Sequence, residues 1–539
     1  MNVISKQPLT AATVACPPLP AGYRVYPPQV NIFTEAVERN AALTPDAPAM
    51  IWDEGSYTYA ELREAVDAAA AGYARLGLKH GGALLLRSPN TANYCVSALA
   101  AMKLGAVAVM TNSLLKEDDL DFILGNSEAQ IAAAPTACVE PLRRLLAAGK
   151  LKHIVLLDDG PAAGDGEMSF STLASSSDPV PLTSATDAMD PAFMAYSSGT
   201  TGRPKGILHA HRWVITLGDV LKFQMNYEPG DIVMAPGEFS FMGTFGQGFV
   251  AALYSGVAMA LYSTRATSRG VLEAISRHRV TKFFSVPTLY RRILAEPGCE
   301  ACLDLSALQF VVSSGEFMGA TVAEQWSERF PFPILEVYGV GEVQTVIGNT
   351  PYWPAKAGSI GRGLPGFNLS LRDEMLQPVP PGTPGRLMIH RSDPGFFLRY
   401  HKQWDKWRAA HKGEWYDTGD VMIQDEEGYY YYQGRNDDLF KSRGYFISPQ
   451  EIENTLVKHE AVAEAAVTGI PDDHLGNRII AHVVLVPGAT SSDALRETLF
   501  EHVRTELAAF KVPKSIDFVA EVPKNAVGKI LRRALVPSH

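Results

Sequence analysis

Apolar residues recur every three to four positions through LREAVDAAAAGYARLGL, Leu62 to Leu78, which predicts an amphipathic helix. Thr58 and Glu61 match a capping box at its start, and Gly77 marks its end. The short run ALLLR then reads as a buried strand, NYCVSALAAMKLGA as a helix and VAVMT as the next strand. The same unit returns as VLEAISRH before KFFSVP, and as TVAEQWSERF before ILEVYG. Strands alternating with helices predict an α/β fold of parallel sheets with crossover helices. Phe239 to Thr264 carries no charge and is long enough to cross a bilayer. Its glycines, hydroxyls and Gln247 fit a buried helix ending near Gly256 and a buried strand better, so no membrane span is expected.

After about Ser359 the pattern turns to strands. NLSLRD, GRLMIH and GYYYYQG are separated by turns such as PPGTPG and DEEG, which predicts a small β subdomain. Beyond Arg435 two helical stretches (PQEIENTLVKH, LRETLFEHVRTELA) mix with strands (EAAVTGI, AHVVLVPG, SIDFVA). We therefore expect a large domain over 1–435 and a small mobile α+β domain over 436–539, with the boundary at Asn436–Asp438.

Composition adds exclusions. The chain has 539 residues, 46% apolar and 20% charged, and a formal charge of −10, which argues against a nucleic-acid-binding face. The N-terminal MNVISKQPLTAATV lacks the apolar stretch of a signal peptide. Of five cysteines, Cys299 and Cys302 form a lone CxxC without the further ligands that structural zinc needs. They read as loop thiols of a reducing compartment, and the expected location is cytoplasmic.

The stretch YSSGTTGRPKG, Tyr196 to Gly206, holds seven Gly, Ser or Thr among its eleven residues, and Lys205. Successive backbone N–H groups in such a turn form a nest for phosphate oxygens, with hydroxyls and a cation in support. The nucleotide-hydrolase loop GxxxxGK[ST] fails here, because Pro204 precedes Lys205 and Gly206 follows it. A second glycine pattern, Gly361 to Gly366, matches GxGxxG, but Pro365 blocks a helix there and a strand follows, so it reads as a turn.

SSGTTGRPKG resembles the signature loop of the acyl-adenylate-forming superfamily, which includes acyl-CoA synthetases, peptide-synthetase adenylation domains and luciferases. Further motifs follow in order: SSGEF (Ser313 to Phe317), VYGVGEV (Val337 to Val343), YDTGD (Tyr416 to Asp420), GRNDDLFKSRGYFISPQEIE (Gly434 to Glu453) and PKNAVGKILRR (Pro523 to Arg533). The resemblance implies that ATP and Mg²⁺ are used. Ser197, Ser198, Gly199, Thr200, Thr201, Gly202 and Lys205 would cradle the phosphates, with Thr200 and Lys205 acting in catalysis. Gly315, Glu316 and Phe317 would border adenine, with Tyr338 and Gly339 beside it. Glu342 would bind magnesium, Asp420 the ribose hydroxyls and Arg435 the ribose or phosphate. Lys529 would bridge the substrate carboxylate and the phosphate. The position before Glu342, usually Thr in this family, is Gly341, so a backbone N–H or another side chain has to replace that hydroxyl.

Adenylation needs Lys529 in the site, whereas thioester formation needs a thiol at the same carbonyl. A rotating small domain meets both needs. The resemblance places the hinge at Asp437 and lines the thiol tunnel with Lys441, Ser442, Arg443 and Gly444, the cations meeting CoA phosphates. The implied reaction is an ATP-dependent acid–CoA ligation through an acyl-adenylate. The stretches LLLRSPNTANYCVSALAAMKLGAVAVMTNSLL, FSFMGTFGQGF and GYFISPQEIE resemble benzoate- and 2-aminobenzoate-CoA ligases most, which implies an aromatic acid. Phe245, with Gly315, would border that acid, while Phe239 and Phe241 read as core residues. VQTVIGN departs from those ligases, which carry a His near Thr345, so a medium-chain acid remains an alternative. So does a stand-alone adenylating enzyme that loads a carrier protein. Homodimer formation stays open.

Overall fold

Thr58 begins the helix Tyr59–Arg75 as the sequence predicts. Its hydroxyl accepts from the Glu61 N–H at 3.2 Å, and the Glu61 carboxylate accepts from the Thr58 N–H at 2.8 Å. Leu62, Val66, Ala69, Ala70 and Tyr73 form its buried face. Gly77, at φ +92°, closes it where a side chain would be strained. This structure is a computed structural model. It describes residues 15–536 apart from 163, 176–178, 180, 198–203, 317, 319, 443–444, 473–474 and 525–529.

The chain divides into two compact units, 1–368 with 390–415, and 369–389 with 416–539. The first holds two sheets. One has nine strands, running from Arg362–Gly363 through Gln344–Gly348, Ile334–Val340, Phe310–Ser313, Lys282–Ser285, Ile232–Met234, Ala258–Ala260 and Pro48–Trp52 to Gly55–Thr58. Its interior pairs are parallel and its ends antiparallel. The other has eight strands and is parallel except where Pro191–Ser197, Lys205–Ala210 and Arg399–Tyr400 pair antiparallel. Strands buried on both faces, such as Val107–Thr111 and Lys282–Ser285, explain the unbroken apolar runs of the sequence.

The charge-free segment is a buried helical run, Met242–Phe245, Gly246–Val250 and Ala251–Tyr254, whose middle is a π-turn. Gly256 ends it at φ +75°, and Ala258–Ala260 follows as a strand. No helix among the described residues is long and apolar enough to cross a membrane. Gly361 sits at φ +97°, and a Cβ there would stand 2.1 Å from the Gly348 backbone. The glycine pattern at 361–366 therefore serves close strand packing. Cys299 is buried and Cys302 exposed, both as free thiols, and no cluster of three or more metal-ligating side chains occurs among the described residues.

In the second unit, Leu369–Arg372 pairs with Gly385–His390 and Trp415–Gln424 with Tyr430–Arg435, all antiparallel. The C-terminal part packs helices Pro449–Val457 and Asp493–Glu506 on strands Val462–Asp472, Gly476–Leu485 and Ser515–Phe518. The expected boundary at 436–438 falls inside this unit, because the β strands before Arg435 cluster with the α+β part after it. Arg532 anchors the end of the chain here. It is half-buried and donates to Glu453 at 2.7–3.2 Å and to Asp438 at 3.2 Å.

Two stability predictions follow from buried carboxylates. Burial pushes the Glu453 carboxyl up, and Arg532 opposes that shift. Arg532→Ala should therefore cost about 3–5 kcal/mol in urea unfolding at pH 7. The loss should shrink toward pH 5 as the orphaned carboxyl takes up a proton. Glu336 is held up to about 7 by its burial, against the opposing pull of the Met318 N–H and the Arg291 charge. A folded-state value raised above the unfolded one gives stability that is complete below pH about 4.5 and lost as pH rises through 7, about 3 kcal/mol in all. Glu336→Gln, which keeps an acceptor for Met318, should unfold at higher urea than the wild type above pH 7 and lose this pH dependence.

Candidate active site

Both signature loops that the structure describes at their bases are hairpins at the antiparallel margins of the parallel sheets. Ser197 pairs with Lys205, so the two residues close the neck of the phosphate loop. Ser198, Gly199, Thr200, Thr201 and Gly202 lie outside the described residues. The neck is anchored from several sides. The Tyr196 hydroxyl donates to Asn126 at 2.7 Å, the His401 N–H donates to Gly206 O at 2.8 Å, and Gln403 Nε2 donates to Pro204 O at 3.1 Å.

The second hairpin carries VYGVGEV. Val340 pairs with Gln344, leaving Gly341, Glu342 and Val343 as a three-residue turn. The turn is tight enough that a Cβ on Gly339 would sit 2.5 Å from Gln344 O. Gln344 takes φ +103°, a left-handed value costly for a non-glycine residue, of order 1–3 kcal/mol. Its side chain is buried, and the surrounding packing holds it there. Three groups fix the turn. His209 is buried and its pKa falls to about 3, chiefly through desolvation, so the ring is neutral and its Nε2–H donates to Gly341 O at 2.7 Å. The Phe397 N–H donates to Glu342 O at 2.8 Å, and the Tyr400 hydroxyl donates to Glu342 Oε1 at 2.6 Å.

Tyr400 brings the two loops together. Its ring lies 4.9 Å from Lys205 Nζ while its hydroxyl holds Glu342. A predicted phosphate-binding cation and a predicted metal-binding carboxylate thus share one aromatic support. Among the described residues nothing donates to Glu342 Oε2. A carboxylate whose second oxygen is open among the described residues suits magnesium, which keeps water and phosphate oxygens as most of its shell. Tyr338 and Gly339 lie on the outgoing strand of this hairpin, paired with Ile347 and Thr345.

Gly315 is exposed at φ +92°, just past the strand Phe310–Ser313. The Glu316 carboxylate accepts from the Thr288 hydroxyl at 2.9 Å and pairs with Arg291 at 3.5 Å. Phe317 lies outside the described residues. Phe245, expected to border the acid, is fully buried between Phe193, Trp213 and Phe249 and offers no open face. Phe241, expected in the core, is instead 43% exposed. Its ring lies against Gly315 and Gly243, where a Cβ would meet it at 3.2 and 2.8 Å. Helical spacing could not separate these phenylalanines, because Phe241 precedes the helix in extended backbone while Phe245 lies within it.

In the second unit, Asp420 is buried opposite Arg435 across its strand pair. The Tyr432 hydroxyl donates to Asp420 at 3.1 Å, and Arg435 reaches Asp420 at 3.5 Å, Thr418 O at 2.9 Å and Asp437 at 3.4 Å. Gly419 is required there, since a Cβ would lie 2.6 Å from the Arg435 guanidinium. Lys441 lies on the strand Phe440–Ser442, while Arg443, Gly444 and Lys529 lie outside the described residues. Tyr400, His209 and Phe397 were missed by sequence reasoning. The only signal was the aromatic-rich PGFFLRYHKQW, whose register against the phosphate loop cannot be read from one sequence.

Comparison with known proteins identifies the family. The AMP-binding enzyme model matches residues 37–401, and the model of its C-terminal domain matches 451–529. Benzoate–CoA ligase of Thauera aromatica is 34% identical over 514 residues, covering 94% of this chain and 95% of its own. The structure of an anthranilate CoA ligase in complex with anthranoyl-AMP superposes with a TM-score of 0.87 at 31% identity, covering 95% of this chain and 97% of that one. A benzoate CoA ligase from Burkholderia xenovorans LB400 gives 0.84 at 30% identity, covering 94% and 100%. The chain belongs to the AMP-binding enzyme family, and within it to the AMP-forming acid–CoA ligases, which use ATP, Mg²⁺ and CoA.

Proposed function

We propose that the acid is aromatic. The observation that carries this reading is the exposed face of Phe241, bordered by Gly243 and Gly315 and near Phe284 and Val286. The two glycines let the Phe241 ring pack directly against them, while the residue stays 43% exposed, and an aryl acid stacks on such a surface with offset or edge geometry. The relatives named for benzoate and anthranilate support the same class.

The chemistry has one electrostatic difficulty. A carboxylate oxygen must attack the α-phosphorus of ATP, and both partners are anions. At about 4 Å and an effective dielectric near 20 they repel by roughly 4 kcal/mol. Positive charge placed where negative charge develops offsets this. Lys205, at the neck of the phosphate loop, would hold the β- and γ-phosphates with Ser197 and the loop hydroxyls. Glu342 would retain magnesium, which when bound neutralises phosphate charge. Asp420 would accept from the ribose hydroxyls, and Arg435, already paired with it, would fix its direction. Pyrophosphate leaves as the acyl-adenylate forms. The CoA thiol then attacks the acyl carbon and AMP leaves. Residues 436–539 would move as the small domain about Asp437, first presenting Lys529 to the carboxylate and then Lys441, Arg443 and Gly444 to CoA.

Pyrophosphate release across a panel of aryl and alkyl acids, with free CoA and no carrier protein, tests the substrate class. Aryl acids should give the highest kcat/KM, and Phe241→Ala should lower it about tenfold or more for them while sparing short alkyl acids. Equal turnover of both classes, or turnover only with a carrier protein, would refute this reading. Lys529→Ala should abolish acid-dependent ATP–pyrophosphate exchange by at least about a hundredfold, yet leave thioester formation from supplied acyl-adenylate within a few fold.

A further inference from the structure

We propose that Tyr400 is a positioning residue that sets the spacing between the Glu342 carboxylate and the Lys205 ammonium, and so tunes the affinity for magnesium-bound nucleotide. The inference rests on the reading of Glu342 as the metal ligand and Lys205 as the phosphate cation.

The geometry begins with strand register. Arg399–Tyr400 runs antiparallel to Lys205–Ala210, with Tyr400 opposite Ile207. Ile207 and Lys205 are two positions apart and share a face of the strand, so the ring opposite Ile207 lies diagonal to Lys205. The Tyr400 ring is 2% exposed, with Lys205 Nζ 4.9 Å from its centroid. An ammonium over an aromatic face is attracted by the ring's electron-rich centre, the more so the less water surrounds it. The hydroxyl at the far end of the same ring donates to Glu342 Oε1 at 2.6 Å, within the range of a charge-assisted bond. A rigid phenol, with two rotatable side-chain bonds, therefore holds an anion at its edge and a cation on its face. The bond to Oε1 fixes the rotation of the carboxylate and leaves Oε2 for a ligand. The backbone on both sides is held as well, by His401 N–H to Gly206 O and Phe397 N–H to Glu342 O. Tyr400 thus connects two hairpins that belong to different sheets.

Tyr400→Phe keeps the ring and removes only the hydroxyl. Calorimetric binding of ATP with Mg²⁺, and of ATP in EDTA, separates positioning from general damage. We expect the Mg²⁺–ATP Kd to weaken about tenfold in Tyr400→Phe, the cost of one hydrogen bond to a charged group. Metal-free ATP binding should change less than about twofold, and the Mg²⁺ concentration for half-maximal adenylation should rise in step. Tyr400→Leu, which also removes the cation's platform, should weaken metal-free ATP binding in addition. Equal weakening with and without metal in Tyr400→Phe, or none, overturns the proposal. If Tyr400→Leu binds metal-free ATP as Tyr400→Phe does, the Lys205 half is wrong. Glu342→Gln distinguishes the underlying reading. Should it leave the preference for Mg²⁺–ATP intact, the assignment of Glu342 fails and the proposal with it. Should it abolish that preference while Tyr400→Phe is unchanged, Tyr400 alone is excluded. A thermal melt of each variant without ligand confirms that the fold is retained.

Discussion

The short turn between Val340 and Gln344 is the constraint on which the candidate site depends. A three-residue connection fixes where Glu342 points, and it is held open by left-handed backbone at Gln344 and by neutral His209 on Gly341 O. Neither device is favourable alone. A non-glycine residue at positive φ is strained, and a fully buried imidazole must give up its charge. His209 also stacks on Phe193, so the polar contact is built into the apolar core rather than placed on the surface. The core thereby aims the carboxylate. The strain is offset by packing that extends from Phe193 through Trp213 to Phe245 and Phe249.

The same logic explains why the motif loops sit where parallel pairing ends. A parallel pair needs a crossover helix, so its strand ends are far apart in sequence. An antiparallel pair returns after a few residues and can present a short loop with both ends pinned. The glycine-rich signature loop is pinned between Ser197 and Lys205, and the turn that carries Glu342 between Val340 and Gln344. Parallel strands supply a rigid buried frame, and antiparallel margins carry both signature loops.

The α/β frame was legible because its signals are local. The capping box at Thr58, the glycine stop at Gly77 and the unbroken apolar strands each declare themselves within a few residues. The ordered motifs made the family legible for a different reason, since adenylate chemistry needs particular residue types in fixed order. Failure came where the answer depends on contacts distant in sequence. Phe241 and Phe245 are four residues apart in one apolar run, yet one ring faces solvent and the other the core, decided by Gly315 and Trp213. Tyr400 was missed because its partners, Lys205 and Glu342, lie 195 and 58 residues away, and only a two-residue strand aligns them.

Gly341 shows how the two kinds of information combine. The sequence reveals that a hydroxyl expected in this family is missing. The structure supplies the physical reason. A Cβ at this position would lie 2.9 Å from Ile207 Cδ1, closer than side chains tolerate. Ile207 belongs to the strand that begins with Lys205 and lies opposite Tyr400. A threonine at 341 would therefore have to push aside the end of the Ile207 side chain, on the strand that pairs with Tyr400. The end of an isoleucine can shift, but here it would shift against the support shared by cation and carboxylate. Glycine at 341 leaves Ile207 undisturbed beside a tight turn, at the cost of one hydroxyl.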